Sequence, residues 1–554
     1  MTDTMWVVLA AVVLLPVGYY AVDVVQRRRL LARLRAVWGK EDALRKLDAD
    51  ELSDVAHHYR QRQAVQPSFV PVDDTTWNDL DMDEVLRHID ASTSIVGSQA
   101  LYALLREQGA PEEVLRQRAE LTHAFEQEEL RLKVQEALTA IGQQAFHGAW
   151  RYLFSGQFEH PRGAWIYPIL ALLPLTLALL GLISPVFLLL AAGAFLVNLV
   201  VYYRTQTTWK AEITSLRHLG AVLRCAQRLE RINHPALADL RARIQAHNAP
   251  IRPIRFWLPL FGMQTVGDMA LVLEYLRIFF MIDMLSMVSI VRIINRSMQD
   301  VRALYDLVGE ADAMLSVAQY RQRVPGLCRP VFEKERGMRF TGLAHPLLKN
   351  AVPNDLVWTR NVLLSGANAS GKSTFIKAVA VNAILAQTIG LCRATALIMC
   401  RGRVMTAMAV RDNLLGGESY FVVEIQSLRR ILEAMDGRMV YGFIDEILRG
   451  TNTIERIAAS SAVLDAIARR NALCMAATHD IELTRLLRDV FQNLHFSETV
   501  DEDGIRFDYL LREGPTRTRN AIRLLQQMGY GQEIIAAAQD NARRFEQTGS
   551  WDRL

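Results

Sequence analysis

At 554 residues the chain is longer than one hydrophobic core ordinarily organises, so two to four domains are expected. Its 63 basic and 59 acidic residues leave a net charge of only +4, too even a balance to argue for nucleic acid without a local patch. The five cysteines, Cys225, Cys328, Cys392, Cys400 and Cys474, are odd in number and form no C-x-x-C pair. They read as small buried thiols in a reducing compartment.

In chain order, the first feature is Met5 to Val25, about 20 mostly apolar residues with Trp6, Tyr19 and Tyr20 near the expected interfaces. Arg27, Arg28, Arg29, Arg33 and Arg35 follow it directly. A cleaved leader carries its positive charge before the apolar run, so an uncleaved anchor with its carboxyl side in the cytoplasm is expected. The chain is then charged and helix-like before loosening through QPSFVPVDDTTWNDLD, whose Pro and Asp content predicts a linker. From Met82 helical apolar spacing resumes and predicts a helical domain; FEQEE at Phe125 falls inside it.

Ala164 to Leu182 and Val186 to Tyr203 are two apolar runs separated only by Ile183-Ser184-Pro185, which predicts a membrane hairpin. Arg151 and Arg162 precede it, and Arg204 and Lys210 follow, so both ends are expected on the cytoplasmic side. Thr205 to Ala249 is helical and rich in Arg, the pattern of a solvated helix face. Phe256 to Ile294 is apolar but contains Asp268, Glu274, Arg277 and Asp283. Charges at mid-span cost several kcal/mol in lipid, so a long buried or lever-like helix is expected there.

The stretch that carries chemistry is NVLLSGANASGKST, Asn361 to Thr374. It fits G-x-x-x-x-G-K-[ST] through Gly366, Gly371, Lys372 and Ser373, with a strand-like run before it and the helix-like FIKAVAVNAILAQ after it. Glycines let successive N–H groups face one anion at a helix N-terminus, Lys372 is placed to reach phosphates, and the Ser373 hydroxyl to ligate magnesium. The expected nucleotide-binding residues are Gly366, Ala367, Asn368, Ala369, Ser370, Gly371, Lys372, Ser373 and Thr374. A second strand candidate, Met439 to Ile444, ends in Asp445 and Glu446, the order expected for a magnesium carboxylate followed by the base that orients water. A third, ALCMAATHD, ends in Thr478-His479, where a polar side chain could sense the γ-phosphate.

These blocks, together with GGESYFVVEIQSLRRIL, FIDEILRGTNT and AATHDIEL, resemble the ATPase domain of the MutS mismatch-repair family. The likeness extends in patches from about Met82 to Glu546, including Ala344-His345-Pro346, Val352-Pro353-Asn354-Asp355 and a closing segment YLLREGPTRTRNAIRLLQQMGY. The resemblance implies ATP and Mg2+ as cofactors, Asp445 as metal ligand with Ser373, Glu446 as general base, and His479 as phosphate sensor. It further implies that Ser419 reaches across a homodimer to the partner's nucleotide, with Arg449, Gly450, Thr451 and Asn452 along the seam. Three positions depart from the pattern. Ala351 replaces the aromatic residue that stacks on the base, Tyr420 stands where threonine is usual, and Arg519-Asn520-Ala521 interrupts a G-x-S motif. The amino-terminal region offers no mismatch-reading domain with its Phe-x-Glu wedge; FEQEE at Phe125 has a superficial likeness to the wedge but belongs to the helical core.

The expected architecture is an α-helical core plus an α/β P-loop ATPase domain with transmembrane helices. Its parts are an anchor over 1–29, a linker over 30–83, a helical core over 84–330 with the hairpin 164–203 inserted, an ATPase domain over 331–515 and a dimerising helix-turn-helix over 516–554. The expected protein is a three-span ATPase of the inner or plasma membrane that couples ATP hydrolysis in a composite dimer to conformational work. Its candidate targets are DNA and an unidentified envelope protein. The competing readings are a transport ATPase, disfavoured by few spans and the lack of an L-S-G-G-Q run, and a nucleotide-dependent scaffold, disfavoured by Glu446.

Overall fold

The computed structural model describes residues 21–548 apart from 68–69, 143–147, 160, 162, 262–268, 368–369, 409–419, 436, 450, 502–503, 517–521, 523–524 and 527. The chain forms an α-helical core and a mixed β-sheet region of P-loop type. It divides into two compact units: Met1–Ser68 with Ile89–Leu104 and Gln117–Arg323, and Phe69–His88 with Leu105–Arg116 and Val324–Leu554.

The first unit is helical, and its 26-residue helix Met298–Arg323 is buried along almost its whole length. Its Asp312 carboxylate accepts hydrogen bonds from the amides of Thr93 (2.9 Å) and Ser94 (2.8 Å) and from the Ser94 hydroxyl (2.7 Å), and so caps the N-terminus of helix Ile95–Arg106. The cap demands close approach: a Cβ at Gly97 would lie 2.4 Å from the Asp312 carboxylate. On helix Ala49–Val65, His58 is buried among the rings of Trp150, Phe154 and Tyr305.

The apolar hairpin is present as helices Ile166–Leu180 and Val186–Thr208. Tyr167, Ala171 and Tyr202 pack against Ile278, Met281, Met284 and Val288, while Leu172, Leu189 and Val200 face outward. Among the described residues, the stretch expected as one long helix holds three, Ile254–Leu260, Met269–Phe279 and Ile282–Arg296. The last two bend by 61° at a break where Met281 takes φ +48°. Buried polar groups hold that break. Asp283 accepts from Arg277 at 2.5 and 2.6 Å and from the Tyr202 hydroxyl at 2.9 Å, and the Asn198 amide donates to the carbonyls of Leu170 and Phe279. The charges that argued against lipid in this stretch are thus partly answered by pairing within the fold.

The expectation of a three-span, multi-pass protein of the inner or plasma membrane is corrected here. Among the described residues only Val186–Thr208, 23 residues, is long and apolar enough to cross a bilayer, or two candidates if the bent pair counts as one span. Ile166–Leu180 has 15 residues, which at 1.5 Å each fall short of a bilayer core. Most of the expected amino-terminal span lies outside the described residues.

Among the described residues the second unit contains fourteen strands in four sheets. Short strands β1 (Val70–Pro71) and β2 (Glu107–Gln108) pair with each other, as do β3 (Leu327–Cys328) and β8 (Cys392–Arg393). A four-stranded sheet has the order β4 (Val331–Glu333), β9 (Ala396–Cys400), β5 (Met338–Leu343), β6 (Asn354–Trp358). The central sheet has the order β10 (Arg403–Ala407), β11 (Val440–Asp445), β12 (Ala472–Ala477), β7 (Asn361–Ser365), β13 (Phe491–Asp501), β14 (Gly504–Glu513). All pairs in it are parallel except β13 with β14. Continuous apolar runs such as VLL and LCMAA form these strands because helices cover both faces, so β7 and β12 are buried at every position.

Strand β10 is an edge, and part of the stretch expected as a linker covers it. Helix Asp74–Asp79 places its side chains on that edge: the Thr406 hydroxyl and the Met408 amide donate to Asp79 at 2.6 and 3.0 Å, and the Thr406 amide to Thr76 at 3.2 Å. Gln108 brackets Val404, accepting from its amide at 2.7 Å. Covering an edge in this way satisfies groups that would otherwise recruit another strand.

Candidate nucleotide site

The register of the central sheet brings the chemistry to one end. Asp445 on β11 pairs with Ala477 on β12, and Ala477 pairs with Leu364 on β7. With neighbouring strands about 4.8 Å apart, Asp445 and Leu364 stand roughly 10 Å apart across one intervening strand. The glycine loop leaves β7 just beyond Leu364, Glu446 follows Asp445, and Thr478-His479 follows Ala477. The Thr478 amide donates to Leu364 at 2.9 Å and the Glu446 amide to Ala477 at 3.1 Å, which ties the three strand ends together.

The loop is shaped by its glycines. Gly366 has φ +145°, and a Cβ there would meet the Phe496 carbonyl at 2.8 Å. Gly371 has φ +100° and caps helix Lys372–Thr388, whose first turn faces the loop. The Lys372 ammonium donates to the carbonyls of Gly366 and Ala367, both at 2.8 Å, and its side chain is buried. Glu446 takes φ +57°, a left-handed conformation costly for a residue with a side chain, and such strain gathers at functional sites. Its carboxylate meets His479 Nε2 at 2.9 Å and pairs with Arg449. Burial, then the positive charges of Lys372 and Arg449, push the His479 pKa below its usual value, so the neutral ring donates through Nε2. Arg456 holds Asp480 by two hydrogen bonds of 3.0 and 2.7 Å, steadying the turn that carries His479.

These residues border a cavity of about 390 Å³ lined by Ser370, Gly371, Lys372, Ser373, Thr374, Glu446, His345, Ala351 and Tyr509 among others. Lys372, Ser373, Thr374 and Glu446 are thus brought together, with Asp445 and His479 at the same sheet end. Asn368, Ala369, Ser419 and Gly450 lie outside the described residues. Asn452 caps helix Thr453–Ala468, accepting from the Glu455 amide at 3.0 Å. Trp358, close in sequence to Ala351, is fully buried against Tyr441 and Phe443 and does not replace the missing aromatic residue.

Sequence reasoning missed Tyr509. It lies on β14, takes φ +55°, and its ring sits 3.0 Å from where a Gly371 Cβ would be. Asn354 of the V-P-N-D segment fixes it: its amide donates to the Tyr509 carbonyl at 3.0 Å, and its carbonyl oxygen accepts from the Leu511 amide at 2.7 Å. The only signal in the sequence is the alternation of Phe507 and Tyr509, which does not say that β14 returns to the loop.

A magnesium nucleotide fits this chemistry on three observations. Gly366 leaves room no side chain could share, a seventeen-residue helix begins at the loop, and the buried Asp445 Oδ1 has no hydrogen-bond partner among the described residues.

Comparison with known proteins agrees with the region so defined. Residues 362–546 match MutS domain V. The chain is 31% identical over 250 residues to the DNA mismatch repair protein MutS of Thermus aquaticus, covering 44% of this chain and 30% of that one. It is 31% identical over 244 residues to MutS of Natronomonas pharaonis, covering 42% and 28%, and 30% identical over 273 residues to the DNA mismatch repair protein MSH3 of Phaeosphaeria nodorum, covering 46% and 24%. The chain therefore spans about a third or less of the length of these relatives. Its likeness to the MutS ATPase-domain family is distant and partial, and nucleotide hydrolysis is indicated at the level of that family.

Proposed function

We propose that the second unit is a magnesium-dependent ATPase that converts ATP to ADP and phosphate. The observation that carries this is the row Asp445, Ala477, Leu364, which sets the glycine loop, the acid pair and His479 at one sheet end. Lys372 and the loop amides would hold the phosphates, and Ser373 and Asp445 the metal, which supplies charge neutralisation when bound. Glu446 would accept the proton of the attacking water, and neutral His479 orients its carboxylate. Tyr509 would contact the base in place of the aromatic absent at Ala351. By likeness to the family, Ser419 and the Arg449 to Asn452 turn would complete the site of a second copy, making hydrolysis a property of a dimer that drives conformational change.

The relatives are named for DNA mismatch repair, and a DNA target is part of the proposal. A gel shift of duplex or branched DNA that weakens as salt rises supports it, and no shift at low salt removes it. Turnover is tested with Glu446→Gln, which should bind ATP as the parent does while hydrolysis falls about 10²–10⁴-fold. Equal, near-zero rates in both proteins would favour a scaffold that binds nucleotide without turnover.

A further inference from the structure

Two of the five cysteines, far apart in sequence, meet in the second unit. Cys328 on β3 and Cys392 on β8 are directly opposed in an antiparallel pair, with Leu327 opposite Arg393. Their sulfurs are 3.3 Å apart, and both are free thiols. Opposed residues in antiparallel strands have Cα atoms about 4.5–5.5 Å apart, inside the roughly 4.4–6.8 Å range that a disulfide bridges. The pairing therefore sets the two residues within the Cα range of a disulfide, with the sulfurs already in contact.

The two thiols differ in a way that suits sequential reaction. Cys392 is fully buried and Cys328 half-buried, so an oxidant reaches Cys328 first. Hydrogen bonding from the Cys392 thiol and from the amides of Leu397 and Ala394, against burial, holds the Cys328 thiol below its usual pKa; the same contact and burial push Cys392 up. The remaining cysteines lack this arrangement. Cys225 and Cys474 are fully buried, and the Cys400 thiol points at the carbonyls of Lys334 and Arg401.

We propose that Cys328 and Cys392 form a reversible redox modification site whose reactant is a small-molecule disulfide. The Cys328 thiolate attacks one sulfur of the disulfide, forming a mixed disulfide and expelling one thiolate. Cys392 then loses its proton and attacks the Cys328 sulfur, and the second small-molecule thiolate leaves. The net change is two protein thiols and one small disulfide giving one protein disulfide and two small thiols. The bond would close a loop that contains the entire phosphate loop and its helix. It would also tie down the neighbour of Arg393, whose guanidinium donates to the carbonyls of His345 and Leu348 at 2.7 and 2.6 Å in the cavity wall. The inference stands apart from the ATPase reading.

The test incubates the full-length protein with mixtures of oxidised and reduced glutathione. The expected result is an intact mass lower by two hydrogens, with peptides bearing Cys328 and Cys392 linked after non-reducing digestion and the change reversed by dithiothreitol. Cys328→Ser and Cys392→Ser should each lose the link, and Cys400→Ser should keep it. The proposal is overturned if the folded parent protein retains five free thiols in fully oxidised glutathione, if glutathione persists on Cys328 without passing to Cys392, or if the link forms only after unfolding in urea.

Discussion

Glu446 shows how a single residue can be both constrained and exposed to function. Its left-handed backbone follows from the tight turn that ends β11, and its carboxylate is shared between His479 and Arg449. Gly366 is the more absolute requirement, because the Phe496 carbonyl occupies the space of any side chain. Gly366→Ala should therefore displace the loop from β13 and abolish detectable ATP binding, read by titration with a fluorescent nucleotide; binding within about twofold of the parent would remove the loop from the site. Tyr509→Ala should weaken binding roughly tenfold by loss of about 1–2 kcal/mol of ring contact, while Tyr509→Phe should bind like the parent. Equal affinity in Tyr509→Ala would place the base elsewhere.

Among elements, the contact between helices Ile95–Arg106 and Met298–Arg323 depends on small size at one point. Gly97 lets the Asp312 carboxylate reach the amides of Thr93 and Ser94, so the cap and the close packing are one device. Gly97→Ala should cost roughly 1–3 kcal/mol despite the better helix propensity of alanine, measured by urea unfolding. An increase in stability would mean that the carboxylate moves aside without loss. Helix Asp74–Asp79 makes a similar point for the second unit, where Asp79 and Thr76 supply the partners that edge strand β10 lacks.

Taken whole, the molecule should respond to acid through buried groups of the helical unit. Burial, with Arg62 adding to it, lowers the His58 pKa from 6.5 to about 3, and both ring nitrogens are buried without hydrogen-bond partners among the described residues. The unfolded chain takes up this proton first, so the stability from neutral His58 is full above pH 6.5 and is lost as pH falls toward 3. Asp312 opposes it: burial raises its pKa to about 6, so its folded carboxyl gains stability as pH falls from 6 to 3.8. His58→Phe, which fits the ring of Trp150, Phe154 and Tyr305, should gain about 2 kcal/mol on the parent between pH 7 and pH 5. Urea unfolding of both proteins at the two pH values checks this, and an unchanged difference would show that His58 titrates normally.

The sequence by itself marked the glycine loop after β7, the acid pair after β11 and His479 after β12, because each is a local signal: a glycine spacing, or a polar residue ending an apolar run. It also marked the apolar hairpin, since helix-length apolarity is local too. Only tertiary structure decided what those segments meet. Strand order put β12 between β7 and β11, the antiparallel return of β14 along β13 brought Tyr509 back to Gly371, and an antiparallel pairing across 64 residues joined Cys328 to Cys392. The three-span topology failed for the same reason: apolarity records that a side chain avoids water, whereas helix length and the partners of Tyr167, Ala171 and Tyr202 decide what it avoids water against.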